Sequence, residues 1–193
     1  MIDYIKGTIT QMNPTFITLE TGGIGYFINI SVSTFSKLES KTEVRILIHE
    51  VIREDSHQLF GFGDSSERDI FRLLISVTGV GANTARMMLS SISPEEIEKA
   101  ILGSDVSILK SVKGIGLKTA QRIIVDLKDK VGKHAGSGEI FTFSDNTSRE
   151  EALSALVMLG FARSAVSKVL DKIVREEKKL TVEDMIKKAL KNL

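Results

Sequence analysis

The chain has no cysteine and no tryptophan, and only two tyrosines and three histidines in 193 residues. Without cysteine, disulfides and thiolate metal sites are excluded. His49, His57 and His134 stand far apart and show no metal-ligand spacing, so no metal, no cofactor and no catalytic residue set is expected. Long apolar runs are also missing, and nothing reaches the length that spans a membrane. The opening Met1-Ile2-Asp3-Tyr4-Ile5-Lys6 lacks the apolar stretch of a secretory leader. A cytoplasmic protein with no membrane partner is the expectation.

Hydrophobic residues make up 42% of the chain, enough for a real core. The length suits one ordinary domain or two or three small ones. The formal net charge is only +1, but the distribution says more than the sum. Residues 1–63 hold five basic and seven acidic side chains. Within 106–133, Lys110, Lys113, Lys118, Arg122, Lys128, Lys130 and Lys133 face only Asp126 and Asp129. A basic segment beside an acidic one would attract phosphate at one place and repel it at another.

The period of the apolar pattern changes along the chain. Residues 1–63 read as short strands: Tyr4 to Thr10, Phe16 to Glu20, Gly25 to Ile30, Glu43 to His49 and His57 to Phe62, divided by Asn13-Pro14 and Thr21-Gly22-Gly23, with a short helix over Ser33 to Lys37. Five strands in this length suit an antiparallel OB-type barrel, although periodicity alone leaves other small barrels open. From Ser65 the pattern is helical, with Ile70, Phe71, Leu74 and Ile75 on one side. Ser93-Pro94-Glu95-Glu96 is a helix start: a capping serine, proline in the first turn, then acids. Residues 134–147 read as a flexible linker. Residues 148–193 read as three short helices broken at Gly160-Phe161 and near Leu180-Thr181. The expected fold is therefore α+β, with a barrel at 1–63, an all-α domain at 64–133 and a small three-helix domain at 148–193.

The central domain repeats itself. Val77-Thr78-Gly79-Val80-Gly81-Ala82-Asn83-Thr84-Ala85-Arg86 aligns with Val112-Lys113-Gly114-Ile115-Gly116-Leu117-Lys118-Thr119-Ala120-Gln121, an offset of 35 residues. Glycines one residue apart allow positive φ and close backbone approach. The apolar residue between them pins the turn from inside. The next helix then presents free amides and the positive end of its dipole, which together make an anion site. Lys118 and Arg122 lie one turn apart on one face and extend the same phosphate track. This is the helix-hairpin-helix pattern, and two tandem copies are a strong signal where one is modest. Gly79, Gly81, Asn83, Thr84, Arg86, Gly114, Gly116, Lys118, Thr119 and Arg122 are the expected DNA contacts. Such contacts grip the backbone without reading sequence. Competing motifs fail: a dinucleotide fingerprint needs glycine where Thr84 and Thr119 stand, and a P-loop needs glycine at Leu117 and Val112.

The order of segments resembles the RuvA family of junction-binding subunits of the bacterial branch-migration complex. The resemblance rests on Met1 to Gly7, on His49-Glu50-Val51-Ile52-Arg53-Glu54-Asp55 with Leu59-Phe60-Gly61-Phe62, on both hairpins, and on Ala152-Leu153 with Leu159-Gly160-Phe161. It implies an OB fold at the N-terminus and a flat homotetrameric ring, with an octamer left open. It implies that Glu54 and Asp55 form an acidic pin at the ring centre; read without it, they are an ordinary solvated turn. It implies recognition of four-way (Holliday) junctions in recombination and repair. It also implies docking of the C-terminal domain on a hexameric RuvB-type ATPase, for which Leu159, Phe161 and Val166 are the candidates. One departure stands out: many relatives carry a second basic residue beside Lys118, where this chain has Leu117.

Two other readings compete. A helix-hairpin-helix glycosylase or nuclease needs a base pocket or a metal-binding carboxylate cluster; the scarcity of aromatics opposes the first, and Asp126 and Asp129 read as solvated charges. A generic duplex-binding scaffold would use the same hairpins without preferring junctions.

Overall fold

The computed structural model describes residues 1–135, 146–176 and 180–193. They form two compact units, Met1–Gly136 and Ser137–Leu193, taken separately below.

In the first unit, five strands close a barrel: β1 (Tyr4–Asn13), β2 (Phe16–Thr21), β3 (Ile24–Ile30), β4 (Glu43–Ile52) and β5 (His57–Phe62). Their order is β1-β2-β3-β5-β4, and β4 pairs with β1 to complete the circle. Every pairing is antiparallel except β3 with β5. Period-two alternation explains the packing: Ile17 and Leu19, Ile28 and Ile30, and Val44, Ile46 and Ile48 all point inward and are buried. The strands extend the sequence expectations at their ends, since β1 continues to Asn13 and β4 to Ile52. Helix α1 (Val32–Leu38) sits between β3 and β4, capped by Ser31.

Five helices follow in the same unit: α2 (Ser65–Ile75), α3 (Ala82–Ser91), α4 (Pro94–Leu102), α5 (Val106–Lys110) and α6 (Leu117–Ala135). The start of α4 is a full capping box, in which the Ser93 hydroxyl accepts from Glu96 N–H and the Glu96 carboxylate accepts from Ser93 N–H. The helices do not form a core of their own. Phe60 and Phe62 of β5 belong to the same buried cluster as Phe71, Leu74, Leu89, Ile101 and Leu127. Phe71 of α2 lies 5.2 Å from Phe60 and 4.9 Å from Phe62, centroid to centroid.

A buried polar group reinforces that joint. Glu67, in the first turn of α2, is fully buried. Its carboxylate accepts from the Ser31 hydroxyl and from Thr34 Oγ1 at 2.7 Å, and Lys37 Nζ lies 3.9 Å away. The Thr34 hydroxyl in turn accepts from Gly63 N–H. The barrel, its α1 excursion and α2 are thus tied at one point.

The second unit holds α7 (Asn146–Met158), α8 (Arg163–Glu176) and α9 (Val182–Leu190) around Ala152, Leu156, Val166, Leu170 and Ala189. Helix α7 ends in a Schellman motif: Phe161 N–H bonds to Leu156 C=O, Gly160 N–H bonds to Val157 C=O, and Gly160 takes φ +99. Thr181 caps α9, as its sequence context suggests. Helical backbone reaches two residues into each end of the segment 134–147 read as a linker. Its middle, 136–145, lies outside the described residues.

Candidate nucleic-acid interface

The two glycine repeats fold into equivalent turns, bond for bond. In the first, Val77 N–H bonds back to Leu74 C=O and Val80 N–H to Val77 C=O. In the second, Val112 N–H bonds to Leu109 C=O and Ile115 N–H to Val112 C=O. Gly79 and Gly114 occupy the third position of each four-residue turn with φ +95 and +93, which is where a type II turn requires glycine. Val77 and Val80, and Val112 and Ile115, are buried and fix the turns from inside.

The second glycine of each pair has a different reason. Gly81 caps α3 with an ordinary φ of −84, and a Cβ placed on Gly81 or Gly116 would meet nothing within 4 Å. Paired glycines allow positive φ at both places, and the structure uses it only at the first of each pair. Nothing inside the fold requires the second, so the space it leaves open faces outward. The first intrahelical bonds are Ala85 N–H to Gly81 C=O and Ala120 N–H to Gly116 C=O. The amides of residues 82–84 and 117–119 precede them, and Gly81 supplies no side-chain cap. Each repeat therefore offers a row of amide donors at a positive helix end, with no side chain over it.

The charges around the two rows differ. At the second hairpin, Lys113 and Lys118 are exposed and make no hydrogen bond or ion pair among the described residues. Arg122 is exposed and lies 3.5 Å from Asp126, a contact that a phosphate can replace. Thr119 is half-buried and Leu117 exposed. Lys128 and Lys130 turn back on Ser104 and Ser76. Sequence reasoning did not single out Lys113, although its place directly before Gly114 puts it on the tip of the turn.

At the first hairpin, Asn83 is exposed and Thr84 half-buried. Arg86 does not face outward as a free cation. Its guanidinium donates to Thr15 C=O at 2.9 Å and to Asn29 Oδ1 at 3.2 Å, and burial pushes its pKa down. Ser90 extends the seam by accepting from Val32 N–H. Arg86, expected to hold phosphate, is a brace between α3 and the barrel.

Glu54 and Asp55 stand at the tip of the β4–β5 hairpin, closed by Arg53 N–H to Ser56 C=O at 2.8 Å. Both are exposed, and neither has an ion-pair partner among the described residues. Just below the tip, Glu50 accepts from Ile2 N–H at 2.6 Å and contacts His57 at 3.2 Å. Those contacts hold the Glu50 carboxyl below the usual carboxylate range. The acidic tip therefore sits on an anchored ribbon.

In the C-terminal unit, the three partner-docking candidates separate. Leu159 is 62% exposed, beside the exposed Met158. Phe161 is half-buried against the core. Val166 is fully buried, so it fills the core of its own unit and cannot meet a partner. Among the described residues, no cluster of His, Asp and Glu could hold a metal ion, and no helix is long and apolar enough to cross a membrane.

Comparison with known proteins agrees with this layout. Family models match in chain order: RuvA N terminal domain over residues 1–61, SAM-like helix-hairpin-helix tandem over 71–129, and RuvA C-terminal domain over 147–193. Among curated relatives, the Holliday junction branch migration complex subunit RuvA of Christiangramia forsetii is 54% identical, and that of Flavobacterium psychrophilum 49%, each with both chains covered in full. The protein of the same name from Bacteroides thetaiotaomicron is 46% identical, again over the whole of both chains. A closed five-strand barrel, tandem glycine hairpins and a separate three-helix unit, matched end to end by such relatives, make this chain a member of the RuvA family.

Proposed function

We propose that this protein is the DNA-recognition subunit of a branch-migration machine. It binds four-way junctions without regard to sequence and presents them to a RuvB-type hexameric ATPase. It carries out no covalent chemistry itself, works in the cytoplasm, and acts as a homotetramer. The observation that carries the reading is the pair of equivalent glycine turns, each opening a helix with uncapped amides and an unobstructed approach. Two such rows hold two stretches of sugar-phosphate backbone. Fourfold repetition would match the four arms of the junction, as symmetric proteins match symmetric sites.

The acidic tip gives the junction its distinct treatment. Glu54 and Asp55 present unpaired negative charge on a hairpin of the same compact unit that carries the phosphate-binding turns. Placed at the crossover, they repel backbone and keep exchanging strands apart. The exposed Leu159, with Phe161 behind it, is the surface offered to the ATPase.

Competition decides between this reading and a generic duplex binder. Junction DNA should bind much more tightly than duplex of equal length at the same salt concentration; equal affinity would favour the generic binder. Incubation of labelled junctions with the protein and Mg²⁺ should leave strands and bases intact. Reproducible cleavage would establish an enzyme instead.

A further inference from the structure

The outer face of the barrel carries an aromatic pair that the core does not use. Phe16 of β2 and Phe27 of β3 stack with ring centroids 4.7 Å apart and planes 26° apart. Neither joins a hydrophobic core cluster, and Phe27 remains 55% exposed. Strand alternation places them outside, since Ile17 and Ile28, their neighbours in sequence, fill the barrel.

This pair is continuous with the first hairpin. The Arg86 guanidinium donates to Thr15 C=O, directly before Phe16, and to Asn29, the register partner of Phe16. Along α3, Arg86 lies four residues from Ala82, or about 6 Å of helix. A strand whose phosphate rests on the α3 amides therefore has an aromatic surface close by on the barrel. At the other end of the same sheet face, Glu20 is exposed and repels phosphate.

We infer that Phe16 and Phe27 form a stacking platform for an unpaired base of a single DNA strand leaving the first hairpin. The inference rests on the DNA-binding reading above. Every base offers a flat π face, so aromatic platforms hold single strands with little sequence preference. The outer face of strands 2 and 3 is also where OB barrels commonly take oligonucleotides. Patch size argues against a protein occupant. Even fully covered, two rings offer only roughly 300–500 Å², and their neighbours on the face are Thr18, Gly25, Glu20 and Asn29. A stable protein contact needs roughly 800 Å² from each partner.

The test uses the full-length protein with Phe27→Ala and Phe27→Tyr. The probes are an oligothymidylate strand, a duplex, and a junction carrying 2-aminopurine at the branch point. Phe27→Ala should weaken oligothymidylate binding by roughly 5- to 100-fold and remove stacking-induced quenching of 2-aminopurine. Phe27→Tyr should restore both, while duplex affinity, circular dichroism and mass in solution stay unchanged. Unchanged oligothymidylate affinity in Phe27→Ala would overturn the platform. A fall in mass would overturn it too, by showing that a second copy of the chain covers the patch. Loss of junction preference in the wild type, with Phe27-dependent oligothymidylate binding intact, would sink the function proposed above and leave the platform standing.

Discussion

Among the individual side chains, the basic residues of the two hairpins divide into those available to DNA and one that is already occupied. Lys118 is free and Arg122 only loosely held, whereas Arg86 is spent on the barrel. Substituting Lys118→Ala and Arg122→Ala together should weaken junction binding for all sequences. It should also flatten the plot of log affinity against log salt by up to about 2, since each phosphate contact contributes about 0.9. An unchanged slope would place the phosphate contacts elsewhere. Arg86→Ala should act oppositely, lowering thermal stability while leaving the slope nearly unchanged. His49 supplies a pH-dependent residue. Burial, then Arg72 and Arg68, hold its pKa below the usual value, against the opposing pull of Glu50, and its ring packs edge-on to Phe71 at 5.4 Å. The unfolded chain therefore takes up this proton first. The contribution is fully present above about pH 6.5 and is lost as pH falls from there toward the folded value. Melting temperature should drop between pH 7 and 5.5, and less so in His49→Gln; equal drops would remove His49 from the account.

At the level of elements, the seam between barrel and helices is the most sensitive place. Glu67→Ala removes the acceptor shared by Ser31 and Thr34 and should cost about 3 kcal/mol, read as a lower urea midpoint without a change in slope. Glu67→Gln, which keeps an acceptor, should cost less. For the β4–β5 hairpin, Glu54→Gln with Asp55→Gln should leave junction affinity equal or higher, while the opening of base pairs at the crossover changes. A large loss of affinity would contradict a repulsive role. The barrel strands were legible in the sequence because alternation such as Ile28-Asn29-Ile30 leaves one face to bury. The hairpins were legible because a turn with positive φ needs glycine at a fixed place. Glu67 was not: in sequence it is an ordinary acid in a first helical turn, and its burial depends on hydroxyls 33 and 36 residues away. The barrel contacts of Arg86 were not legible for the same reason, since its acceptors lie 57 and 71 residues distant.

For the molecule as a whole, the chain order of barrel, tandem hairpins and three-helix unit was readable, but the way surfaces are shared among those parts was not. Residues 1–63 and 64–133 looked separable by period, yet Phe60 and Phe62 of the barrel share one buried cluster with the helices, while the barrel keeps a second cluster inside its strands. The reverse held at the C-terminus, where Val166 went into the core of its own unit while Leu159 and Met158 stayed exposed. Assembly can be weighed directly. Light scattering or native mass measurement should give four chains alone and four, or eight, on junction DNA. A monomer under both conditions would remove the symmetry argument. The Arg86 seam has a mechanical corollary. With α3 tied to the Thr15 turn through Arg86, the first hairpin and the β-barrel are coupled and do not pivot independently. Tension applied to an arm by a motor would then be borne by a single stiff block, so the protein would serve as a stator past which the duplex is hauled.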